Sequence, residues 1–334
     1  MNKKNILMTG GYGFIGSNFI NYLINNYDEF NVMNLDYEGV GSNKDNITKE
    51  HTKKQCIMHC KWDISEDILE KQDIVDLPFD YLFHFAAESH VDRSISSPRG
   101  FVTSNVMGTM QILETARQLG VKRVIMVSTD EVYGSMKQGS AKETRKYNPS
   151  SVYSATKAAS ELICNSYVET YGMDIVTTRC GNNFGAGQFE EKLIPKVIKN
   201  ALEDKKIPIY DKGKQRREWV YVNNHIQDLI FVAEHGKSGE TYNVGSGTSL
   251  TNIKLVKKIL KILGKPESLI EFIPNGRLGH DFRYSLDTTK LHALKLEVTI
   301  GKGSINQEDE VTFIENIAKY LFDEHLAETI KHYS

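Results

Sequence analysis

The chain has 334 residues, of which 40% are hydrophobic and 25% are charged, and its formal net charge at pH 7 is −2. This length allows one large or two modest domains, and the composition is that of an ordinary soluble globular protein. The small net charge argues against nucleic acid or an acidic membrane surface as a partner. No apolar run approaches the roughly 20 residues of a membrane span and nothing resembles a signal peptide, so we expect no membrane association and a cytoplasmic location.

The first predicted elements are a strand at 5–9, a glycine-rich turn and an amphipathic helix from about Phe14 to Tyr27. A strand and a helix frame the turn, which is typical of a dinucleotide-binding fingerprint. Its glycines allow backbone N–H groups to approach a pyrophosphate at the helix N-terminus. The glycines with this predicted role are Gly10, Gly13 and Gly16.

A second predicted strand, at 31–35, ends at Asp36. An acid about 20 residues after the glycine turn accepts hydrogen bonds from the adenosine ribose, and it repels a 2′-phosphate. The pattern therefore favours NAD over NADP, with a structural turn role for Asp36 as the alternative.

Further strands are predicted at 56–60 and 79–85, and a long helix is predicted from about Arg99 to Leu119. Cys56 and Cys60 flank His59 on the third strand, which leaves metal binding as an alternative. Incidental thiols on a strand are the interpretation we favour, so no metal is predicted. His90 could act as a base, but packing or a hydrogen bond within its polar loop is favoured.

The stretch from Val124 to Gly134 carries the strongest sign of chemistry. Its apolar run predicts a strand buried on both faces. The strand ends at Thr129, Asp130 and Glu131, where ligands of an open parallel sheet bind. A solvated turn is the alternative interpretation.

The next predicted helix places Tyr153 and Lys157 on one face, because residues i and i+4 are neighbours on a helix. A nearby cation lowers the pKa of a tyrosine from its ordinary value of about 10. The pair therefore predicts a general base that works near neutral pH.

Strands that alternate with helices, up to a sixth at 174–179, predict an α/β fold with a doubly wound parallel sheet, the Rossmann arrangement. After about residue 182 the alternation loosens, which indicates a smaller mixed α/β lobe that binds the substrate. We expect an NAD-binding domain at 1–181 and the smaller lobe at 182–334, with chain crossings between them.

Several motifs occur together along the chain. They are Thr9–Ser17, Ala86–Ser94, Ser128–Gly134, Tyr153–Lys157, Gln188–Pro195, Arg217–Trp219 and Gly279–Tyr284. From Gly10 to about Lys290 the chain resembles the extended short-chain dehydrogenase/reductase family, and more narrowly its nucleoside-diphosphate-glucose 4,6-dehydratases. The Thr-Asp-Glu signature is the most specific of these motifs.

The resemblance implies a lyase that uses NAD to convert dTDP-glucose or UDP-glucose to a 4-keto-6-deoxy sugar nucleotide. It implies that Tyr153 removes the 4-hydroxyl proton as hydride leaves C4, while Thr129 orients that hydroxyl and Lys157 supports the tyrosine. Glu131 then takes the C5 proton, Asp130 protonates the departing 6-hydroxyl, and hydride returns to C6. Mutual repulsion pushes the pKa values of two adjacent carboxyl groups apart, which suits one acid and one base.

Carried over residue by residue, the resemblance also implies two sets of binding positions. The implied NAD contacts are Gly10, Gly13, Phe14, Ile15, Gly16, Asp36, Asp63, Ile64, Ala86, Ala87, Ser104, Tyr153, Lys157 and Asn182. The implied sugar-nucleotide contacts are Ser89, Thr129, Asn183, Lys192, Leu193, Pro208, Tyr210, Arg217, Asn252, Arg277 and His280.

Departures from the family pattern, such as Glu190 and Leu278 where proline is usual, fall mostly around the nucleotide pocket and leave thymidine and uridine both open. A UDP-sugar 4-epimerase is the first alternative, although the Asp130–Glu131 pair argues against it. A non-catalytic NAD-binding regulator is the second. The resemblance also implies a homodimer formed through the helices at about 99–119 and 152–171.

The segment from Ser135 to Ser150 joins Glu131 to Tyr153 and is long and polar. We expect that little packing holds it and that it is mobile. Tyr153 would then reach its catalytic position only with substrate bound.

Overall fold

A parallel sheet organises the first part of the chain. The computed structural model describes residues 4–48, 55–67, 77–274, 281–300 and 321–334. The strands of these residues are β1 (Lys4–Thr9), β2 (Phe30–Asp36), β3 (Gln55–Lys61), β4 (Tyr81–His84), β5 (Arg123–Thr129), β6 (Ile175–Cys180), β7 (Asn182–Phe184), β8 (Ile207–Tyr210), β9 (Arg216–Tyr221), β10 (Thr241–Val244), β11 (Ser249–Thr251) and β12 (Ile270–Ile273).

Helices follow most of the strands. They are α1 (Phe14–Asn26), α2 (Val91–Ser96), α3 (Pro98–Phe101), α4 (Gly108–Gln118), α5 (Val152–Tyr171), α6 (Leu193–Leu202), α7 (Val222–His235), α8 (Asn252–Ile262), α9 (Thr289–Ile300) and a last helix described over 321–333. Short 3₁₀ helices lie at Lys44–Asn46, Asp130–Tyr133, Asp211–Gly213 and Glu267–Leu269.

The central sheet has seven strands in the order β10-β6-β5-β4-β1-β2-β3. β1 pairs in parallel with β2 and β4, β2 with β3, and β4 with β5. The order reverses beside β1, which is the doubly wound arrangement, and the predicted α/β Rossmann class is confirmed. Sequence reasoning did not predict β10, the edge strand beyond β6.

Apolar side chains on β1, β4 and β5 explain why this sheet forms. Leu7, Leu82 and Val124 are buried and belong to one hydrophobic cluster with Leu113 of α4. Burying a side chain of this size contributes about 1.5–3 kcal/mol. Buried strands with helices on their faces account for the continuous apolar runs in the sequence.

The helix predicted from Arg99 to Leu119 is present, but it is not uniform. α3 leads into a π-helical turn at Val102–Met107, and α4 continues from Gly108. π-helical turns leave a backbone carbonyl displaced from its usual partner and occur often at functional sites. Asn105, in the middle of this turn, is buried.

The chain forms two compact units. The first unit consists of the described residues within Met1–Val132, Ser151–Arg179 and Ile226–Tyr242. The second unit consists of those within Tyr133–Ser150, Cys180–His225 and Asn243–Ser334. It holds a three-stranded sheet in the order β11-β9-β7 and a two-stranded sheet of β12 and β8. The predicted functional boundary after residue 181 stays a prediction.

The segment 135–150 belongs to the second unit and is held by hydrogen bonds there. The backbone N–H of Met136 donates to the carbonyl of Arg283 at 3.0 Å, and that of Ala141 donates to the carbonyl of Ser285 at 2.9 Å. The side chains of Met136 and Ala141 are buried. The prediction that little packing holds this segment is therefore wrong. The sequence pattern did not indicate these contacts, because the partners lie about 140 residues away in the sequence. Its mobility stays a prediction.

Candidate active site

The glycine-rich turn after β1 approaches other backbone closely. Gly10 has a φ of +74°, and a Cβ atom there would lie 2.7 Å from the backbone nitrogen of Ala86. A Cβ atom on Gly16 would lie 2.3 Å from the carbonyl oxygen of Gly10, so both positions require glycine. α1 begins at Phe14, after Gly13. The first N–H groups of such a helix are suited to a pyrophosphate.

Asp36 lies buried at the end of β2, and the neighbouring loop orients its carboxylate. One oxygen accepts a hydrogen bond from the backbone N–H of Tyr12 at 2.9 Å. The other accepts from the N–H of Glu38 at 2.7 Å and from the hydroxyl of Ser42 at 3.0 Å. A carboxylate has about four acceptor positions, so capacity remains for a ribose hydroxyl. The turn and this acid together fit an adenine dinucleotide without a 2′-phosphate.

Most of the other predicted cofactor contacts also belong to the first unit. Asp63 accepts hydrogen bonds from the backbone and the hydroxyl of Ser65, at 2.9 and 2.7 Å. The N–H of Ala86 donates to the hydroxyl of Thr9 at 3.1 Å. The remaining predicted contacts in this unit are Ile15, Ile64, Ala87 and Ser104. Asn182, at the start of β7, belongs to the second unit.

His84 is a buried residue next to the glycine-rich turn that sequence reasoning missed. Its Nδ1 lies 2.7 Å from the hydroxyl of Thr9, and its Nε2 lies 3.1 Å from the hydroxyl of Thr109. Burial, with a smaller contribution from the charge of Lys157, lowers the pKa of His84 to about 3. A neutral imidazole therefore joins β1, β4 and α4.

Thr129, Asp130 and Glu131 are linked at the carboxyl end of β5. The hydroxyl of Thr129 donates to Asp130 Oδ1 at 3.4 Å and accepts a hydrogen bond from the backbone N–H of Glu131 at 3.3 Å. Thr129 and Asp130 are buried, and Glu131 is half-buried at the start of the 3₁₀ turn that follows the strand. The structure thus links the Thr129 hydroxyl to the carboxyl group of Asp130 and to the backbone of Glu131, so an acid–base pair of carboxyl groups occupies consecutive residues of one turn.

Tyr153 and Lys157 lie on α5, and the lysine reaches back to the same strand. Ser151 caps the helix with a reciprocal pair of 3.1 Å hydrogen bonds to Ser154. Both Tyr153 and Lys157 are buried, and Lys157 Nζ donates to the carbonyl oxygen of Val127 at 2.8 Å. Val127 is two residues before Thr129, so this bond ties the helix of Tyr153 to the strand that carries the acids.

Asn105 fixes the π-helical turn to its neighbours and was also missed from the sequence. Its side chain accepts from the N–H of Glu88 at 2.8 Å and donates to the Glu88 carbonyl at 3.0 Å and to Thr156 Oγ1 at 2.9 Å. The carbonyl of Asn105 accepts hydrogen bonds from the hydroxyls of Thr109 and Ser160, both at 2.6 Å. The sequence offered one signal for Asn105, which is that asparagine is an unfavourable residue type inside a predicted helix.

In the second unit, neighbouring groups hold the predicted substrate contact Asn183. His225 Nδ1 lies 2.9 Å from Asn183 Oδ1, and Asn183 Nδ2 donates to the carbonyl of Gly181 at 3.2 Å. Gln188 Nε2 donates to the Asn183 carbonyl at 2.8 Å. Burial lowers the pKa of His225 to about 3, so the ring is neutral near pH 7. Sequence reasoning did not identify His225.

Backbone carbonyls hold the predicted phosphate contact Arg217 in place. Its guanidinium donates to the carbonyls of Asp281 and Arg216, both at 2.9 Å, and lies 4.5 Å from the centre of the Tyr284 ring. A buried cation with neutral partners keeps its charge available to an anion.

The remaining predicted substrate contacts are spread over both units. In the second unit, Lys192 directly precedes α6, Leu193 begins it, Pro208 and Tyr210 lie on β8, and Asn252 begins α8. Ser89 lies in the first unit, before α2. Arg277 and His280 lie outside the described residues.

Within the described ranges, no three His, Cys, Asp or Glu side chains are grouped so that they could hold a metal ion. None of the helices in the part of the chain that the structure describes is both long enough and apolar enough to span a membrane.

The chain matches the model of the NAD dependent epimerase/dehydratase family over residues 6–245. It is 41% identical over 296 residues to the low-salt glycan biosynthesis protein Agl12 of Haloferax volcanii, which covers 87% of this chain and 93% of that protein. It is 40% identical over 315 residues to the dTDP-glucose 4,6-dehydratase of Haemophilus influenzae, with 86% and 91% covered.

Among solved structures, DesIV (dTDP-glucose 4,6-dehydratase) from Streptomyces venezuelae with NAD and TYD bound matches with a TM-score of 0.84. The two chains are 37% identical, and 98% of this chain and 96% of DesIV are covered. The predicted resemblance to extended dehydrogenase/reductases of the dehydratase type is confirmed, and so is the prediction of an NAD-dependent enzyme. The chain therefore belongs to the NAD-dependent epimerase/dehydratase family.

Proposed function

We propose that this protein is a lyase that removes water from a nucleoside-diphosphate-glucose and forms the 4-keto-6-deoxy sugar nucleotide. dTDP-glucose is the first substrate to test, because relatives at about 40% identity are named for it, and UDP-glucose is the second. The observation that carries the proposal is the linked Thr129–Asp130–Glu131 group on the strand to which Lys157 is bound. Loss of water needs a proton donor and a base side by side, and this group supplies both.

The chemistry that NAD supplies when bound is reversible hydride transfer with the sugar. Tyr153 takes the proton of the 4-hydroxyl as C4 becomes a ketone. Lys157, one helical turn away and fixed by its bond to Val127, favours the phenolate form of the tyrosine through its positive charge. The hydroxyl of Thr129 holds the sugar hydroxyl in line for this transfer.

The two carboxyl groups perform the elimination. A ketone at C4 acidifies the hydrogen on C5, and Glu131 removes it as the base. Asp130 gives a proton to the departing 6-hydroxyl, which leaves as water. The product is complete when hydride has returned to C6 and C5 has been reprotonated. Burial favours the neutral form of a carboxyl group, and Asp130 is the more buried of the two acids, which supports this assignment of roles.

Residues of the second unit recognise the nucleotide in this proposal. Arg217 and Lys192 bind the diphosphate, and Asn183 binds the sugar-proximal phosphate or the sugar. Pro208, Tyr210 and Asn252 surround the base and the ribose, and the proposal also includes Leu193, Arg277 and His280. The fixed guanidinium of Arg217 supports the phosphate role, because a preorganised planar cation suits an anionic oxygen pair.

A mass measurement tests the proposal. The purified protein is incubated without added reductant with dTDP-glucose, UDP-glucose and GDP-mannose in separate reactions, and products are separated by chromatography. We expect the loss of one water from a glucose nucleotide, and the relative rates identify the base. A galactose-configured product of unchanged mass would instead establish a 4-epimerase, and no change with any of the three would contradict the lyase assignment.

Substitutions separate the proposed roles. Tyr153→Phe is expected to stop the first oxidation, so no reduced nicotinamide absorbance develops in a single turnover. Asp130→Asn and Glu131→Gln are expected to keep that oxidation while the rate of water loss falls by roughly 10²-fold or more. Full turnover in these variants would show that the roles are wrongly assigned.

We further propose that the protein is a homodimer that works in the cytoplasm. Val102, Met107 and Met110 expose apolar side chains on the π-helical turn and α4, and Leu162 does so on α5. Exposed apolar side chains on adjacent helices are typical of an interface. Light scattering should give twice the chain mass, and Met107→Lys with Leu162→Lys should give a monomer. The four cysteines, Cys56, Cys60, Cys164 and Cys180, are thiols in the structure, as is usual for proteins of a reducing compartment.

A further inference from the structure

Three buried side chains connect α5 to the ends of β5 and β6. Glu161 on α5 receives two bonds at one oxygen from Arg179, from Nη2 at 2.7 Å and from Nε at 2.9 Å. Its other oxygen accepts hydrogen bonds from the hydroxyl of Ser128 and, at 3.2 Å, from Arg179 Nε. Glu161 is 1% exposed and Arg179 is 3% exposed. We call Ser128, Glu161 and Arg179 the buried ion group.

The position of this group relative to the proposed catalytic residues is specific. Tyr153, Lys157 and Glu161 recur every four residues on α5, so they share one helix face. Lys157 binds the carbonyl of Val127, and Glu161 binds the hydroxyl of Ser128, the next residue of β5. Two consecutive turns of the helix are thus fixed to two consecutive residues of the strand, immediately before the acids begin.

Stability alone does not account for an ion pair at this depth. The free energy needed to remove two charges from water offsets much of the free energy gained from their attraction. Well-packed apolar side chains of similar volume often stabilise a fold as well or better. What an ion pair with several fixed hydrogen bonds provides is a defined geometry between the elements that carry it. Here those elements are α5, β5 and β6.

We propose that Glu161 and Arg179, together with Ser128, are positioning residues that set the register of α5 against β5 and so align Tyr153 with Thr129. The inference rests on the proposed function. A displacement of about 1 Å at a reacting group can reduce a rate by about 10²-fold. One residue of helix rises about 1.5 Å, so even a partial slip of α5 would move Tyr153 by that amount.

Arg179 has a second role in this group, which is electrostatic. Glu161 and Lys157 are four residues apart on the helix, a spacing at which opposite charges pair. Arg179 engages the Glu161 carboxylate, while Lys157 donates to the carbonyl oxygen of Val127. Without the guanidinium, Glu161 draws the ammonium group away from Val127 and from the turn that carries Tyr153.

The two roles predict a specific order of effects among variants. Arg179→Met should lower kcat for water loss by about 10²-fold, because it both loosens the register and leaves Glu161 to capture Lys157. Adding Glu161→Leu should restore part of the rate, to about tenfold below the unsubstituted protein, because the competing carboxylate is gone. Ser128→Ala should lower kcat severalfold. KM should change less than twofold in all three, since none of these residues is among the proposed substrate contacts.

Arg123→Met is the matched control. Arg123 also forms an ion pair in the first unit, with Asp174 at 2.8 Å, but it begins β5 whereas the acids follow the end of that strand. Its substitution should leave kcat and KM unchanged. Unfolding midpoints in urea are measured for every variant. A Glu161→Leu/Arg179→Met protein with the native kcat would overturn the inference, whatever its midpoint, because α5 would then keep its register without the ion group.

A second measurement does not depend on the identity of the substrate. The ionisation of Tyr153 is followed by ultraviolet difference titration of the NAD-loaded protein against its Tyr153→Phe form. In Arg179→Met the midpoint should rise by at least about one pH unit as Lys157 moves away, and in Arg123→Met it should stay unchanged. If the unsubstituted protein dehydrates no sugar nucleotide, the proposed function fails while this titration still decides the positioning role. An unchanged midpoint in Arg179→Met would refute that role.

Discussion

Replacing Asn105 with alanine is expected to reduce the free energy of unfolding by about 3 kcal/mol. The side chain is buried and makes three hydrogen bonds, to the N–H and the carbonyl of Glu88 and to Thr156 Oγ1. Each contributes about 1 kcal/mol net, and a buried partner left unpaired costs about 1–3 kcal/mol. Water can reach the half-buried Glu88 and can pair with the groups that lose Asn105 as a partner. The cost of each lost hydrogen bond is therefore taken as about 1 kcal/mol, the lower end of the range for an unpaired partner.

Urea unfolding followed by circular dichroism measures this change. Alanine also has a higher helix propensity than asparagine, by roughly 0.5 kcal/mol, so Asn26→Ala serves as the control. Asn26 is an exposed residue at the end of α1 that donates one hydrogen bond to the carbonyl of Tyr22. Its substitution should change stability by less than about 0.5 kcal/mol. A difference of under about 1 kcal/mol between the two variants would refute the idea that Asn105 holds the π-helical turn.

Three further changes have defined outcomes. Gly16→Ala places a Cβ atom 2.3 Å from the Gly10 carbonyl, so the turn must shift, and we expect NAD affinity by calorimetry to fall by about tenfold or more. The pKa of buried His84 is lowered from 6.5 to about 3, so between these values the unfolded state binds a proton that the folded state does not. The His84 contribution to stability should fall by about 1.4 kcal/mol per pH unit below 6.5 in urea unfolding, and His84→Gln should remove this part of the pH dependence. Met136→Ala should cost about 2–4 kcal/mol in the same assay, because the side chain is buried.

Each of these changes has a control in the same chain. A Cβ atom on Gly100 meets nothing within 4 Å, so Gly100→Ala should leave NAD affinity unchanged. His235 is a more exposed histidine, and His235→Gln is the control for His84→Gln. Lys137 follows Met136 and is exposed, so Lys137→Ala should be nearly neutral. Equal effects in a variant and its control would contradict the corresponding argument.

The local patterns of the sequence predicted the elements that carry the site. β5 was expected from an apolar run that stops at two acids, and α1 from a glycine turn framed by a strand and a helix. Both exist at the expected residues. In each case the physical cause, burial on both faces or a required backbone conformation, acts within a few residues and leaves a readable pattern.

The buried polar groups were not predicted, because their partners lie far apart in the sequence. His84 meets Thr9 across 75 residues, and Asn105 meets Thr156 across 51. Each looks like an incidental polar residue when its own segment is read alone. His84 lies in an apolar strand and Asn105 lies in a helical segment, and only the folded chain brings their partners together.

The strand order has a consequence for how the protein is made. β10 completes the edge of the seven-stranded sheet beside β6, although roughly 60 residues of chain separate them. At about 5–20 residues per second, the ribosome needs several seconds to synthesise that interval. During this time β6 is an open edge that can pair with another nascent chain. We therefore expect the β6 edge to promote co-translational aggregation on crowded polysomes, and slower initiation should raise the soluble yield.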